Sequence, residues 1–151
     1  PSTPPGRRHD GRHPRGARQR SPDVTWVADA SVTVAYLLGE ASDVEHGVML
    51  GEVHAPALVD VEVTQTLRGL LRAMKIDLDT ADLARDDLTQ VRLWRHPDAP
   101  LLRRSWELRD TCTIYDALYV ALAEALGATL VTRDLRLARG VGAIVDVATA
   151  D

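Results

Sequence analysis

Residues Thr111 to Asp134 read "TCTIYDALYVALAEALGATLVTRD". From Thr113 the run is apolar on nearly every side, which marks a central, buried helix rather than a surface one. It stops at Gly127, a natural residue just past a helix end. "ATLVT" (128–132) then reads as a short, continuously apolar strand. A helix running into a fully buried strand belongs to a parallel sheet covered on both faces. Two acids interrupt this pattern. Asp116 falls in the first turn of the helix, and Asp134 follows the strand. A carboxylate near buried surface is costly unless something positive offsets it.

The same alternation extends outward in both directions. "VTWVAD" (24–29) predicts a buried strand, and "SVTVAYLL" a helix with Ser31 as its cap. "ASDVEHGVML" (41–50) predicts a second helix, and "EVHAP" a strand stopped by Pro56. "ALVDVEVTQTLRGLLRAMK" (57–75) predicts a long helix whose stripe is Val59, Val63, Leu67, Leu70 and Met74. "DTADLARDDLTQVRLW" (79–94) predicts a helix capped by Asp79 or Thr80, and "APLLRRSWELRD" a further helical segment. After the opening stretch come a short helix over "DLRLARG" and a last strand over "GAIVDV" (142–147). Strands alternating with helices predict an α/β fold, a mostly parallel sheet with helices on both faces. No internal repeat is present.

The length of 151 residues suits one domain with a real core. The chain is 45% hydrophobic and 26% charged, which excludes neither a soluble enzyme nor a binding module but does exclude a low-complexity chain. No apolar run is long enough to span a membrane. A single cysteine, Cys112, rules out an internal disulfide and a multi-cysteine zinc site, and fits the reducing cytoplasm. The five histidines show no metal-ligand spacing. Residues 1–22 hold six arginines against one acid, Asp10, a net of about +5, so the remainder carries about −9. That Pro-, Gly- and Arg-rich opening predicts a disordered tail, with the folded domain over 23–151. It lacks the apolar region of a secretory signal. Its two readings are an RNA-binding arm and a segment without function, and the second is the expectation.

Functional crevices of open α/β sheets lie at the carboxyl ends of the strands. Asp29 ends the first predicted strand, Glu62 lies early in the third helix, and Asp116 and Asp134 flank "ATLVT". Each has a local explanation. Asp29 and Asp134 suit helix caps, Thr113 with Asp116 nearly spells a capping box, and Glu62 suits a helix N-terminus. Four such acids at one sheet edge instead suggest a hard divalent cation, Mg²⁺ or Mn²⁺. Thr66 and Gly69, on the face of Glu62, leave room above its carboxylate.

"VADASVTVAYLLGE", "LVDVEVTQTLRGLLR" and "TIYDALYVALAEALGATLVTRD", in that order, resemble a PIN domain. The likeness is greatest to the ribonuclease toxins of VapBC-type toxin–antitoxin modules and covers Val24 to Val147. The resemblance implies a three-layer α/β/α fold and a quartet of metal-binding, catalytic acids falling on Asp29, Glu62, Asp116 and Asp134. Ser31 and Thr132 match its accessory hydroxyls. It implies Mg²⁺- or Mn²⁺-assisted hydrolysis of RNA phosphodiester bonds. Asp29 and Asp116 are the first choices for direct ligands, with Glu62 and Asp134 ligating directly or through water. It also implies a homodimer and a small antitoxin protein covering the acidic crevice.

Charge patterning offers Arg68, Arg72 and Lys75, at i, i+4 and i+7 of one helix, and Arg133, beside Arg136 and Arg139, as RNA contacts. Helix C-terminal placement accounts equally well for the first three. Trp26, Trp94 and Trp106 read as packing residues. Val48, Met49, Leu50, Leu70 and Leu71 are candidates for an exposed interface patch. Two other classes compete. A receiver-type signalling domain needs a paired acid after the first strand and a late lysine, whereas Lys75 is the only lysine. A PIN fold that binds RNA or protein without cleaving is countered by the retention of all four acids.

Overall fold

The computed structural model describes residues 24–150. The expectation of a disordered tail over 1–22 lies outside the described residues. Five strands, β1 (Trp26–Ala28), β2 (Val53–Pro56), β3 (Leu93–His96), β4 (Thr129–Thr132) and β5 (Val147–Thr149), form one sheet. Their order is β3-β2-β1-β4-β5, and every pairing is parallel. The strands are short and their middles are sealed: Val27, Val53, Ala55, Leu130 and Val131 have no accessible surface. Burial on both faces explains why these strands are nearly all apolar rather than alternating.

The helices are α1 (Ala30–Leu37), α2 (Asp43–Met49), α3 (Val59–Arg72), α4 (Leu78–Leu88), α5 (Leu102–Glu107), α6 (Ile114–Leu126) and α7 (Leu135–Val141), with a 3₁₀ turn over Ala99–Leu101. Helices α1 to α4 pack on one another as one layer. Helix α6 packs on α5 and on β1, β2 and β4, while α7 lies against β4 and β5. Crossovers between parallel strands are right-handed, which sends α1–α4 to one face and α5–α7 to the other. The result is the expected three-layer α/β/α arrangement. Helix α6 is the central one, with every residue from Ala117 to Ala123 buried.

Several boundaries differ from the sequence reading. "QVRLW" does not continue α4: the chain turns at Thr89–Gln90, and Leu93–His96 pairs with β2 as an edge strand. Helix α4 is capped by Asp77, whose carboxylate accepts the Thr80 N–H at 2.8 Å, not by Asp79 or Thr80. Helix α1 is capped by Asp29, not Ser31. The last strand begins at Val147, five residues after the predicted start, and Val145 packs into the core as loop. Met74 leaves the apolar stripe, because α3 ends at Arg72 and Met74 turns left-handed (φ 55°) and is 91% exposed.

The proposed exposed patch is also corrected. Val48 and Met49 are buried core residues of α2, and Leu70 and Leu71 are partly covered. Only Leu50 is open, at 68% exposure. Conversely, Trp94 and Trp106 are not packing residues, each being 63% exposed.

Candidate active site

The strand order places the crevice. From β1 the chain adds strands on one side as far as β3, then returns to add β4 and β5 on the other. The two connections leave the sheet in opposite directions at the carboxyl ends of β1 and β4, the switch point where ligands bind in such sheets. Asp29 follows β1 directly, and Thr132 ends β4.

Asp29 is buried and tightly held. Its Oδ1 accepts the Ser31 hydroxyl at 2.5 Å and the Val32 N–H at 3.2 Å, and its Oδ2 accepts the Thr132 hydroxyl. The cap and the cluster residue are thus one and the same side chain. The two hydroxyls also connect onward. Ser31 Oγ accepts the Arg133 N–H at 3.2 Å, and Thr132 Oγ1 accepts the Asp134 N–H at 3.0 Å. Burial pushes the Asp29 carboxyl up from its ordinary value, against the pull of these hydrogen bonds; Asp116 adds to the rise.

Asp116 sits in the first turn of α6, where Thr113 Oγ1 accepts its N–H at 3.2 Å. Burial raises its carboxyl, with Asp134 contributing. Asp134 caps α7, its Oδ1 accepting the N–H groups of Arg136 and Leu137 at 2.8 and 3.0 Å. Asp116 and Asp134 line one cleft of about 290 Å³ with Thr111, Cys112, Thr113, Arg136 and Leu137. Glu62, in the first turn of α3, is raised by burial, and Asp116 and Asp29 raise it further. Its Oε1 is buried. The Tyr119 hydroxyl is equally buried and lies beside Glu62, close enough for a hydrogen bond between the two to pull the Glu62 carboxyl back down against burial and to raise the phenol.

The structure therefore brings Asp29, Glu62 and Asp116 within mutual electrostatic reach, with Asp134 joined through Asp116. Among the described residues none of the four is ion-paired to a Lys or Arg. Nor do any three acid, imidazole or thiol groups close into a ready metal cage among the described residues. Much of the carboxylate capacity is spent on hydroxyls and N–H groups, while Glu62 Oε1 has only the Tyr119 hydroxyl beside it. An all-oxygen donor set, partly committed and uncompensated in charge, fits a hard cation that keeps several of its waters, as Mg²⁺ does.

The basic candidates fare differently. Arg68, Arg72 and Lys75 are exposed. At about 1.5 Å rise per residue, Arg68 and Arg72 lie roughly 9 and 15 Å along α3 from Glu62, and off its face. Arg133 is engaged elsewhere: its guanidinium pairs with Glu45. Arg136 is the basic residue that lines the acidic cleft. Two neighbours escaped the sequence reading. Tyr119 follows Asp116 by three positions, a spacing that shares a helix face. Asp98, whose Oδ1 accepts the Leu58 N–H at 3.2 Å, reaches Glu62 from a loop with no periodic signal. A larger cavity of about 730 Å³, between α1, α2 and the end of α4, contains none of the four acids.

The profile of the PIN domain family matches residues 27–142, a span that takes in all four acids, the seven helices of the described residues and every described strand but β5, with β1 entered at its second residue. The chain is a PIN domain. Ribonuclease VapC3 of Mycobacterium tuberculosis (strain ATCC 25618 / H37Rv) is 41% identical to it over 127 residues, covering 82% of this chain and 92% of that one. Among solved structures, PAE2754 from Pyrobaculum aerophilum superposes with a TM-score of 0.59 at 24% identity, covering 85% of this PIN domain chain and 88% of its own. VapBC2 from Rickettsia felis, bound to a DNA fragment from their promoter, superposes with a TM-score of 0.61 at 16% identity, covering 85% and 100%. At those identities the two structures speak for the PIN fold alone.

Proposed function

We propose that this PIN domain is a metal-dependent ribonuclease, the toxin of a toxin–antitoxin pair, that hydrolyses RNA phosphodiester bonds in the cytoplasm. The observation that carries the reading is the group of raised carboxylates, none of them ion-paired to a Lys or Arg among the described residues, at the β1/β4 switch point. Perturbed acids gathered in a cleft mark a functional site. The 41% identity to a protein named a ribonuclease supports the activity. The likeness to proteins named VapC, together with the family resemblance, supports a small antitoxin as partner, and the family resemblance a homodimer as the working form.

Asp29 and Asp116 would hold the metal, with Glu62 and Asp134 completing the set directly or through water. A bound Mg²⁺ or Mn²⁺ supplies Lewis-acid polarisation of water and phosphate. The chain's own groups do the rest. Ser31 and Thr132 fix the Asp29 carboxylate, so its orientation is set before substrate arrives. Arg136, in the cleft beside Asp116 and Asp134, meets a phosphate oxygen. As water attacks phosphorus, the new P–O bond forms, the bond to the leaving ribose oxygen breaks, and a carboxylate of the cluster takes the proton that water gives up. That proton then returns to solvent or to the leaving oxygen.

Asp116→Asn tests the reading. Asn keeps the size and still suits a helix first turn, so the fold survives while one charge leaves the site. Cleavage of single-stranded RNA in Mg²⁺ should be lost, and growth inhibition on expression with it. Cleavage at the parent rate would end the ribonuclease mechanism and leave a PIN fold that binds without cutting.

A further inference from the structure

One buried carboxylate belongs to no cleft. Glu45 of α2 has no accessible surface. Its Oε1 accepts Arg133 Nε–H at 2.6 Å, and its Oε2 accepts Arg133 Nη2–H at 2.7 Å. Arg133 Nη2 also donates to the Glu40 carbonyl at 2.9 Å. Glu45 Oε2 accepts the Ser42 N–H at 2.8 Å while Ser42 Oγ accepts the Glu45 N–H, which closes a capping box on α2. That box would cap the helix without any guanidinium. The ion pair depresses the Glu45 carboxyl below the ordinary glutamate range, chiefly through the Arg133 hydrogen bonds.

Arg133 stands between the two residues that close the acidic site. Thr132 before it bonds Asp29, Asp134 after it caps α7, and the Arg133 N–H itself bonds Ser31, which bonds Asp29. A planar guanidinium held along one edge by both oxygens of a carboxylate is fixed in direction as well as position. Only Glu45 is buried, Arg133 keeping 36% of its side chain exposed, and an ion pair that desolvates one acid adds little net stability, so a geometric purpose is the better account of this one. The pair joins residues 88 positions apart, tying α2 to the β4–α7 turn.

We infer that Arg133 and Glu45 are positioning residues for the active site: the fork pins the β4–α7 turn, so that Thr132 and Asp134 stand in fixed relation to Asp29. The inference rests on the ribonuclease reading for its kinetic consequence, but not for its structural one. It also removes Arg133 from the RNA contacts that charge patterning assigned to it.

The experiment uses the full chain with Arg133→Lys, Glu45→Gln and the double variant. Three quantities are measured: amide hydrogen exchange at Arg133 and Asp134 in EDTA, Mn²⁺ affinity without RNA, and kcat and KM on single-stranded RNA. Groups that orient metal-binding residues carry about 10- to 100-fold in affinity or activity. Each single variant should therefore exchange those two amides about tenfold faster, bind Mn²⁺ about tenfold more weakly and lose about tenfold in kcat, with KM unchanged. The double variant should be no worse than the worse single, because one fork is broken in all three. Parent-like exchange and Mn²⁺ affinity in Glu45→Gln would overturn the inference. So would an Arg133→Lys effect confined to KM, which would make Arg133 an RNA contact. Should Glu45→Gln fail to fold, Glu45→Asp keeps the charge, shortens the reach by one methylene and carries the same expectations. A parent that neither cleaves RNA nor binds Mn²⁺ would sink the ribonuclease reading, yet the exchange rates would still decide the role of the fork.

Discussion

Glu62→Gln should stabilise the metal-free protein and destabilise the metal-bound one. In the folded chain Glu62 Oε1 is buried with only the nearby Tyr119 hydroxyl to relieve it, and Asp116 and Asp29 repel its charge. A buried unsatisfied polar atom costs about 1–3 kcal/mol. Glu62 as a whole is only partly buried, so the lower end applies, about 1 kcal/mol. The amide keeps the shape, sheds the charge and brings two donors toward neighbouring carboxylates. For a domain of this size, about 1 kcal/mol raises Tm by roughly 3–5 °C. With Mg²⁺ the sign turns over. Ligand at tenfold its Kd stabilises the parent by about 1.4 kcal/mol, and a variant that binds weakly forgoes that gain. Thermal melts of both proteins in EDTA and in Mg²⁺ test this. The pH dependence has a definite direction. A carboxyl whose folded pKa is raised destabilises the fold as pH climbs from its ordinary value through the raised one, so the Gln advantage in EDTA should vanish below about pH 4 and grow as pH rises above it. A Gln variant that melts below the parent in EDTA at neutral pH would refute the argument.

Three further outcomes follow from other contacts. Gly127 closes α6 in a left-handed conformation (φ 60°, ψ 33°) with open space where a Cβ would sit, so Gly127→Ala should cost about 1 kcal/mol in urea unfolding through backbone strain alone, without loss of cleavage. Arg95 donates to both oxygens of Asp60 and to the carbonyls of Leu88 and Leu93, tying the edge strand β3 to α3 and α4. Arg95→Met should cost about 1–3 kcal/mol in the same assay, since it strands four acceptors. Thr132→Val keeps the volume but leaves Asp29 Oδ2 and the Asp134 N–H without the shared hydroxyl, and should lower kcat about tenfold with KM little changed.

The sheet and its helices were legible because burial writes itself into apolar runs, and α6 with Gly127 and β4 is the plainest case. β3 was not, because Ala81, Ala84, Leu88 and Val91 keep a helical spacing that runs past the true end of α4; the break at Thr89–Gln90 contains neither Gly nor Pro. Val48 and Met49 looked like surface because periodicity in a two-turn helix cannot say how many sides are covered. The four acids were findable as strand-end and helix-start carboxylates, yet their roles as caps and as cluster members are not alternatives. Asp29 and Asp134 do both. Arg133 shows the limit most clearly: its charge is visible in the sequence, but its partner Glu45 is separated from it by most of the domain.

The order β3-β2-β1-β4-β5 also governs how the domain comes into being. The central strand, β1, is the first to leave the ribosome, and one of its two neighbours, β4, is made only after three-quarters of the domain has been read out. Contacts of such long sequence separation form late and slowly. Until Thr132 arrives, Asp29 lacks one of the two hydroxyls that hold it, and until Asp134 follows, the acid cluster is short of a member. Translation interrupted anywhere before residue 134 would therefore release a polypeptide without the complete acid cluster.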